Sequence, residues 1–467
     1  MAQARPDRVT HLAPAHVDVI APAELGATAI AALRARGIQA RVIERAEDTD
    51  GVIAWALSSP PSAATAVEIA ARCARASEAG RPVVLLAPAV RGSNRAAIER
   101  VAALAHIRAY GGAILHDVDA WLEAVVLLVR FGLPAGPRTA VIAPEGSWLH
   151  AQAQAIIVEA EGLGARSPLT PSDDPTDVAF YDPTLGDPPR NVPALHVAVA
   201  PRGELAGDEA ALFGVRAALG AVTALGRAAE RIAIGLGPAP RTASAELQID
   251  RDQLARQLDA IAGLRASHIS DHHTKGLLRA YNVEITRQAV ALTPSAAIKK
   301  ARLIGFPVEM KPFGHELTEP EGCPVERGVT SDALVRQAFT AVLAKAKLPE
   351  DAAVIVRATP IPGREVAVTF LELPALGWTV VLNAPGAQLA AAPAPLRAID
   401  AESLAAHVIT SRADDPDPDR RGLANILRRT SHLVVDVDQI ATLELPRVIV
   451  GGRGATTIVV DAAATLR

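Results

Sequence analysis

Short apolar runs alternate with longer stretches whose apolar residues recur every three or four positions, and this rhythm dominates the chain from residue 16. HVDVIAPAELGATAIAALRARGIQARVIE opens with an apolar run at 17–20 and passes through a loop into an Ala-rich segment of helical spacing. It stops at Gly37 and enters a second run, the strand–helix–strand pattern. The pattern recurs. GVIAWAL (51–57) leads into AATAVEIAARCARASEAG, RPVVLLAP (81–88) leads into a helical stretch ending before GGAIL (111–115), and DVDAWLEAVVLLVRFG closes the unit. Strands and helices alternating at this spacing predict a doubly wound parallel sheet.

LPAGPRT (133–139) reads as a boundary, after which TAVIAPEGSWLHAQAQAIIVEAEGLGA begins a second α/β unit. A polar Pro/Asp-rich loop, the strand ALHVAVAP and further helices carry that unit to about residue 240, and GLGPAPRTASAE (235–246) is the clearest linker. From about 250 to 467 helices come first and strands and helices then mix, which suits an α+β module. The expected domains are therefore 1–134, 135–240 and 250–467.

Composition narrows the picture. Half of the 467 residues are apolar but only 3% are aromatic, so the cores are built from small aliphatic side chains. The formal net charge of −4 provides no electrostatic footprint for nucleic acid or an anionic membrane. The two cysteines, Cys73 and Cys323, have no partner spacing and predict neither a disulfide framework nor a zinc site. No run reaches the roughly 18 apolar residues of a membrane span and no secretory h-region opens the chain, so a cytoplasmic location is expected.

The candidate chemistry centres on GFPVEMKPFGHELTEPEG (305–322), where an apolar run ends on Lys311 and breaks into Pro312, Gly314 and carboxylates. ISDHHTKGLLRAYNVEITRQAVALTPSAAIKKARLIGFPVEMKPF places Lys275 on a helix upstream of it. AVIVRATPIPGREVAVTFL adds Arg357 and the Gly363–Arg364–Glu365 triplet, and RRGLANILRRTSHLVVDVDQIATLELPRVIV closes the module. In this order the segments resemble the NDP-forming acyl-CoA synthetases, relatives of succinyl-CoA synthetase. The resemblance implies two flavodoxin-like domains followed by an ATP-grasp module, with the nucleotide-binding lysine at Lys311. It also implies Lys275 and Glu365 as further cofactor-binding residues and ATP or ADP as the ligand, and Arg357 is a further candidate for neutralising its phosphate charge. In that family a phosphoryl group passes from nucleotide to histidine to acid before CoA displaces it. Lysine and Mg²⁺ carry the transferred charge.

Several of the family's parts are replaced here. The chain opens at what resembles the second domain of the family, with no G-x-G-x-x-G turn for CoA. The loop after RPVVLLAP lacks the relay histidine, and His106 sits inside a helical pattern, while His116 reads as a strand-end residue. The glycine-rich loop that opens the second unit in the family is IAPEGSWLH, where Glu145 and Trp148 oppose an anion. LNAPGAQLAAAPAPL keeps Gly386 but offers no carboxylate, and Leu445 stands where the resemblance implies a metal-binding asparagine. Its neighbour Glu444 alternates to the other face of a strand. His315 is a candidate for a displaced counterpart of the family's post-lysine histidine.

Mg²⁺ and CoA are therefore doubtful cofactors on this pattern, and phosphate charge falls to Lys275, Lys311 and Arg357. Four separate losses favour a catalytically impaired regulatory or scaffold subunit. The alternative is an active acid–thiol ligase whose partner subunit supplies the CoA-binding domain; a homo-oligomer is also open. An ATP-grasp ligase joining an acid to an amine would need no relay histidine but faces the same missing metal ligands. His268 and His272 stand four apart in SHISDHHTKG, which on a helix offers a metal pair; a polar N-terminus capped by Ser270 or Asp271 is the plainer reading. DDPDPDR (414–420) is an acidic loop without the glycine and glutamate of a calcium loop, and GGRG (451–454) a hairpin turn.

Overall fold

The computed structural model describes residues 16–44, 51–162, 169–170, 176–185, 194–201, 211–264, 267–314, 323–409, 418–452 and 454–467. The chain divides into two compact units, Met1–Gly237 with Thr410–Ala413, and Pro238–Ile409 with Asp414–Arg467.

The first unit holds two parallel sheets. One is built from β1 (Val17–Ile20), β2 (Ala40–Val42), β3 (Val52–Ala56), β4 (Val84–Leu86) and β5 (Ala113–Leu115), in the order β2-β1-β3-β4-β5. These are the short apolar runs of the sequence, and all but the edge strand β2 are largely buried because parallel strands are covered on both faces. The second sheet uses β6 (Thr139–Ile142), β7 (Leu169–Thr170), β8 (Val178–Tyr181), β9 (Leu195–Ala200) and β10 (Ala211–Phe213). Its order, β10-β9-β8-β6-β7, repeats that of the first sheet when counted from its own first strand. The sequence showed no repeat; the repetition is one of topology.

Side-chain caps start three helices of this unit: Ser62, Asn94 and Asp117 each accept a backbone N–H three residues on. A single apolar core includes residues of both sheets and of the helices Val118–Arg130 and Val215–Ile234. Gly226 lets the second of these helices approach closely, because a Cβ there would lie 2.4 Å from the backbone of Gly136 and Pro137.

The second unit is antiparallel throughout its two sheets. The smaller has the order β12-β15-β13-β14: β12 (Gln288–Ala291), β15 (Val354–Ala358), β13 (Val308–Pro312) and β14 (Glu326–Val329). The larger contains β11 (His268–Ile269), β16 (Gly363–Leu373), β17 (Gly377–Asn383), β18 (Ala390–Pro393), β19 (Ile440–Gly451) and β20 (Ile458–Leu466) in the order β11-β20-β19-β16-β17-β18. Each sheet has its own apolar layer. Val308, Met310, Val354 and Val356 pack with Ala297, Ile298, Val335 and Phe339; Phe370, Leu443, Leu445 and Val448 pack with Leu404, Leu423 and Leu427. No helix among the described residues is long and apolar enough to cross a membrane.

Candidate nucleotide site

Strand alternation builds the site. Along β13 the sequence V-E-M-K-P sends Val308 and Met310 into the apolar layer, so Glu309 and Lys311 share the opposite face. Across the sheet, Glu309 lies directly opposite Arg357 of β15, and Arg357 opposite Gln288 of β12. Directly opposed residues point to the same face, so one face of the smaller sheet carries Gln288, Arg357, Glu309 and Lys311. That polar face is buried, and its partners come from β20 of the larger sheet and from the helix Asp271–Ala280.

The contacts are dense. Arg357 donates to Glu309 Oε2 from Nε at 3.0 Å and from Nη2 at 2.8 Å, and its Nη1 donates to Asp461 Oδ1 at 2.6 Å. Lys311 Nζ donates to Asp461 Oδ1 at 3.2 Å and lies 3.4 Å from Asp271 Oδ2. Lys275 Nζ donates to Asp271, to Gln288 Oε1 at 2.9 Å and to the Val460 carbonyl at 2.6 Å. Asp271 is fixed in turn by the Ala462 amide at 2.9 Å. Three cations therefore meet three carboxylates, Asp271, Glu309 and Asp461, and the formal charge of the six is zero.

Burial and charge oppose each other in Lys275, Asp461 and Arg357. Burial pushes the Lys275 ammonium down to about 8; Asp271 opposes that shift, and the charges of Lys311 and Arg357 add to it. Burial alone raises the Asp461 carboxyl, but Arg357, Lys311 and Lys275 outweigh it and hold the group far below the usual carboxylate range. Burial likewise works against the Arg357 cation, and Asp461 and Glu309 reverse the balance. Asp461, with its side chain 29% exposed against 1% for Asp271 and 4% for Glu309, is the acid of the cluster that solvent reaches. Gln288 Nε2 is buried among these groups without a hydrogen-bond partner.

Three of the four expected cofactor-binding residues, Lys275, Lys311 and Arg357, thus come together. Glu365 on β16 stands one step away: it accepts from Arg447 Nε at 2.8 Å, and Arg447 lies directly opposite Asp461 on β20. Glu444 is exposed opposite Ala463, two residues from Asp461 and so on that residue's face, while Leu445 is fully buried in the core. The inward position is the leucine and the open one the glutamate.

The helical pairing of His268 with His272 is corrected. His268 lies in β11, the helix begins only at Asp271, and the rings of His272 and His273 pack edge-on against Phe313. Ser270 stands at the N-cap position but makes no capping bond; its hydroxyl meets His273 Nδ1 at 2.9 Å, and Asp271 serves the lysines instead. His106 is half-buried on the helix Arg95–Ala109, tilted against Tyr110, and burial lowers its pKa. His315, residues 414–417 and Arg453 lie outside the described residues.

Sequence reasoning did not single out Asp271 as a lysine partner, and missed Glu309, Gln288 and Asp461. Each left a signal. Asp271 stands four residues before Lys275 on one helix face, Glu309 alternates with Lys311, and Asp461 is the one acid in the apolar strand IVVDAAATL.

Residues 261–466 match the family model described as an ATP-grasp domain. Over 233 residues the chain is 22% identical to the 4-hydroxybutyrate–CoA ligase (ADP-forming) of Nitrosopumilus maritimus, covering 46% of this chain and 33% of that protein. Over 214 residues it is 26% identical to subunit beta of the acetate–CoA ligase (ADP-forming) II of Pyrococcus furiosus, covering 42% of this chain and 91% of that subunit. The C-terminal unit thus contains an ATP-grasp domain, and the chain is similar to ADP-forming acyl-CoA ligases.

The chain spans about a third of the length of the Nitrosopumilus relative. A solved acetyl-coenzyme A synthetase from Ca. Korarchaeum cryptofilum, in complex with coenzyme A and Ca-AMPCP, is 24% identical, covers 47% of this chain and all of that one, and superposes with a TM-score of 0.41. A further structure of that enzyme holds coenzyme A and Mg-AMPPCP. The ATP-grasp domain implies nucleotide binding.

Proposed function

We propose that this chain binds ATP or ADP in its C-terminal unit, through Lys311 and Arg357, and serves its family as a catalytically impaired regulatory or scaffold subunit. The observation that carries the reading is the convergence of Lys275, Lys311 and Arg357 on one buried face, with their charge already cancelled. An apolar core would not need six buried charges, since burying ion pairs costs as much as it returns. Polyphosphate oxygens can replace the Asp461 carboxylate on Lys311 and Arg357, because Asp461 is the solvent-reached acid, and the orphaned Gln288 Nε2 supplies a further donor. Lys275, held by Asp271, Gln288 and the Val460 carbonyl, then acts as a strut for the site. Impairment is supported by the buried Leu445 and by the absence of any carboxylate in residues 384–396.

An active ADP-forming acyl-CoA synthetase is the second reading, with a partner subunit supplying the CoA-binding domain, as befits a relative named as a beta subunit. Glu444 favours it. An exposed carboxylate on the face of Asp461 is the hard oxygen donor that Mg²⁺ takes, and Mg²⁺ held there would neutralise phosphate charge. We also propose three domains, 1–134, 135–240 and 250–467, the first two flavodoxin-like because both sheets follow the strand order of that class, and a cytoplasmic location.

Calorimetric titration with ATP, with and without Mg²⁺, tests both readings on the intact chain, Lys311→Ala and Glu444→Gln. The first expects binding that Mg²⁺ changes little and that Lys311→Ala weakens at least tenfold. Binding that requires Mg²⁺ and Glu444 would move the conclusion to the active ligase. No binding under either condition overturns both.

A further inference from the structure

A second cationic cluster lies in the N-terminal unit, far along the chain from the ATP-grasp residues. His116 directly follows β5, and Ala87 directly follows β4, so both stand at the carboxyl end of the first parallel sheet. His116 Nδ1 is 2.7 Å from the Ala87 carbonyl, which can only accept; Nδ1 therefore carries the proton. That leaves Nε2 as an acceptor, and the Arg108 guanidinium donates to it from Nη2 at 3.2 Å. A neutral imidazole thus orients a cation without cancelling its charge.

Arg227, on the helix Val215–Ile234, is close enough to Arg108 for its charge to act on it: the protein packed around Arg108, with Arg227 adding to it, lowers that guanidinium from its ordinary value. Both side chains still reach solvent. Among the described residues neither arginine has a carboxylate within ion-pairing distance; Glu230 tempers Arg227 through space without pairing with it. The contrast with the ATP-grasp cluster is plain, since there every cation has its acid. Two guanidiniums held near each other without an anion repel, and an incoming anion relieves that repulsion. The carboxyl ends of the strands are where open parallel sheets take ligands.

We propose that Arg108, Arg227 and His116 form a binding site for a phosphoryl dianion at the carboxyl end of the first parallel sheet. Two positive charges match a phosphate dianion, whose oxygens accept from both guanidinium forks; a single carboxylate would leave one cation unmatched. The site is independent of the nucleotide reading, because its residues belong to the other unit.

The test uses the full chain with inorganic phosphate and, at equal ionic strength, acetate. Calorimetry and the thermal midpoint are read on the wild type, Arg108→Gln, Arg227→Gln and Lys311→Ala. Phosphate is expected to bind and raise the midpoint, with affinity falling at least tenfold in either arginine variant and unchanged in Lys311→Ala, and with acetate binding at least tenfold more weakly. Where Arg108→Gln does not fold, His116→Asn is expected to weaken phosphate several-fold by releasing Arg108. Equal phosphate binding in the arginine variants, or loss confined to Lys311→Ala, overturns the proposal. So does acetate binding as tightly as phosphate, or no phosphate binding at all.

Discussion

Asp461 accepts from Arg357 at 2.6 Å and from Lys311 at 3.2 Å, and those cations hold its carboxyl far below the ordinary range. A carboxylate depressed in the folded state contributes stability that is complete above its unfolded pKa, roughly 3.9, and is lost as pH falls below it. Asp461→Asn is expected to flatten the stability profile between about pH 4 and pH 2. At neutral pH it is expected to cost on the order of 3 kcal/mol, because two buried cations lose their shared acid. Urea unfolding across that range checks both, and an unaltered acid limb in the variant would show that the ion pairs do not form in solution. The depressed Lys275 works in the other window: its contribution grows as pH rises from about 8, where the folded ammonium titrates, towards roughly 10.4, where the unfolded one does.

At the scale of elements, period-two alternation decides which residues can act. The single strand β13 gives one face to the small core and the other to the charge cluster. β19 does the same with Leu445 inward and Glu444 outward, although its register with β20 shifts between Glu444 and Arg447. Restoring an amide at the inward position is therefore not a route to a metal site. Leu445→Asn is expected to lose about 2–5 kcal/mol, from the lost apolar volume and a buried amide without partners, with no gain in Mg²⁺ dependence of ATP binding. Denaturation and calorimetry of the variant separate the two effects; a stable variant whose ATP binding becomes Mg²⁺-dependent would refute the inward assignment.

For the molecule as a whole, the C-terminal unit contains every residue of the nucleotide cluster and has its own apolar layers. Residues 238–467 expressed alone are expected to unfold cooperatively and to bind ATP with the affinity of the full chain. Circular dichroism melting and calorimetry measure this, and a fragment without cooperative melting would show that its cores depend on the first unit.

The sequence by itself determined the strand and helix rhythm, because apolar spacing is local and each buried run must lie between covering helices or sheets. It also marked Lys275, Lys311 and Arg357, whose surroundings resemble a known family. Three things were decided only in three dimensions. The cancelling acids Asp271, Glu309 and Asp461 are brought together from as far as 190 residues apart along the chain, since Asp271 bonds the Ala462 amide 191 positions on. His268 falls in a strand because β20 pairs with it before the helix can begin. Finally, Arg108, His116 and Arg227 belong to separate elements whose own patterns read as ordinary helix surface and strand end. Only the packing of those elements brings the Arg108 guanidinium to His116 Nε2 and within reach of the Arg227 charge, since such contacts depend on distance in space and carry no periodicity along the chain.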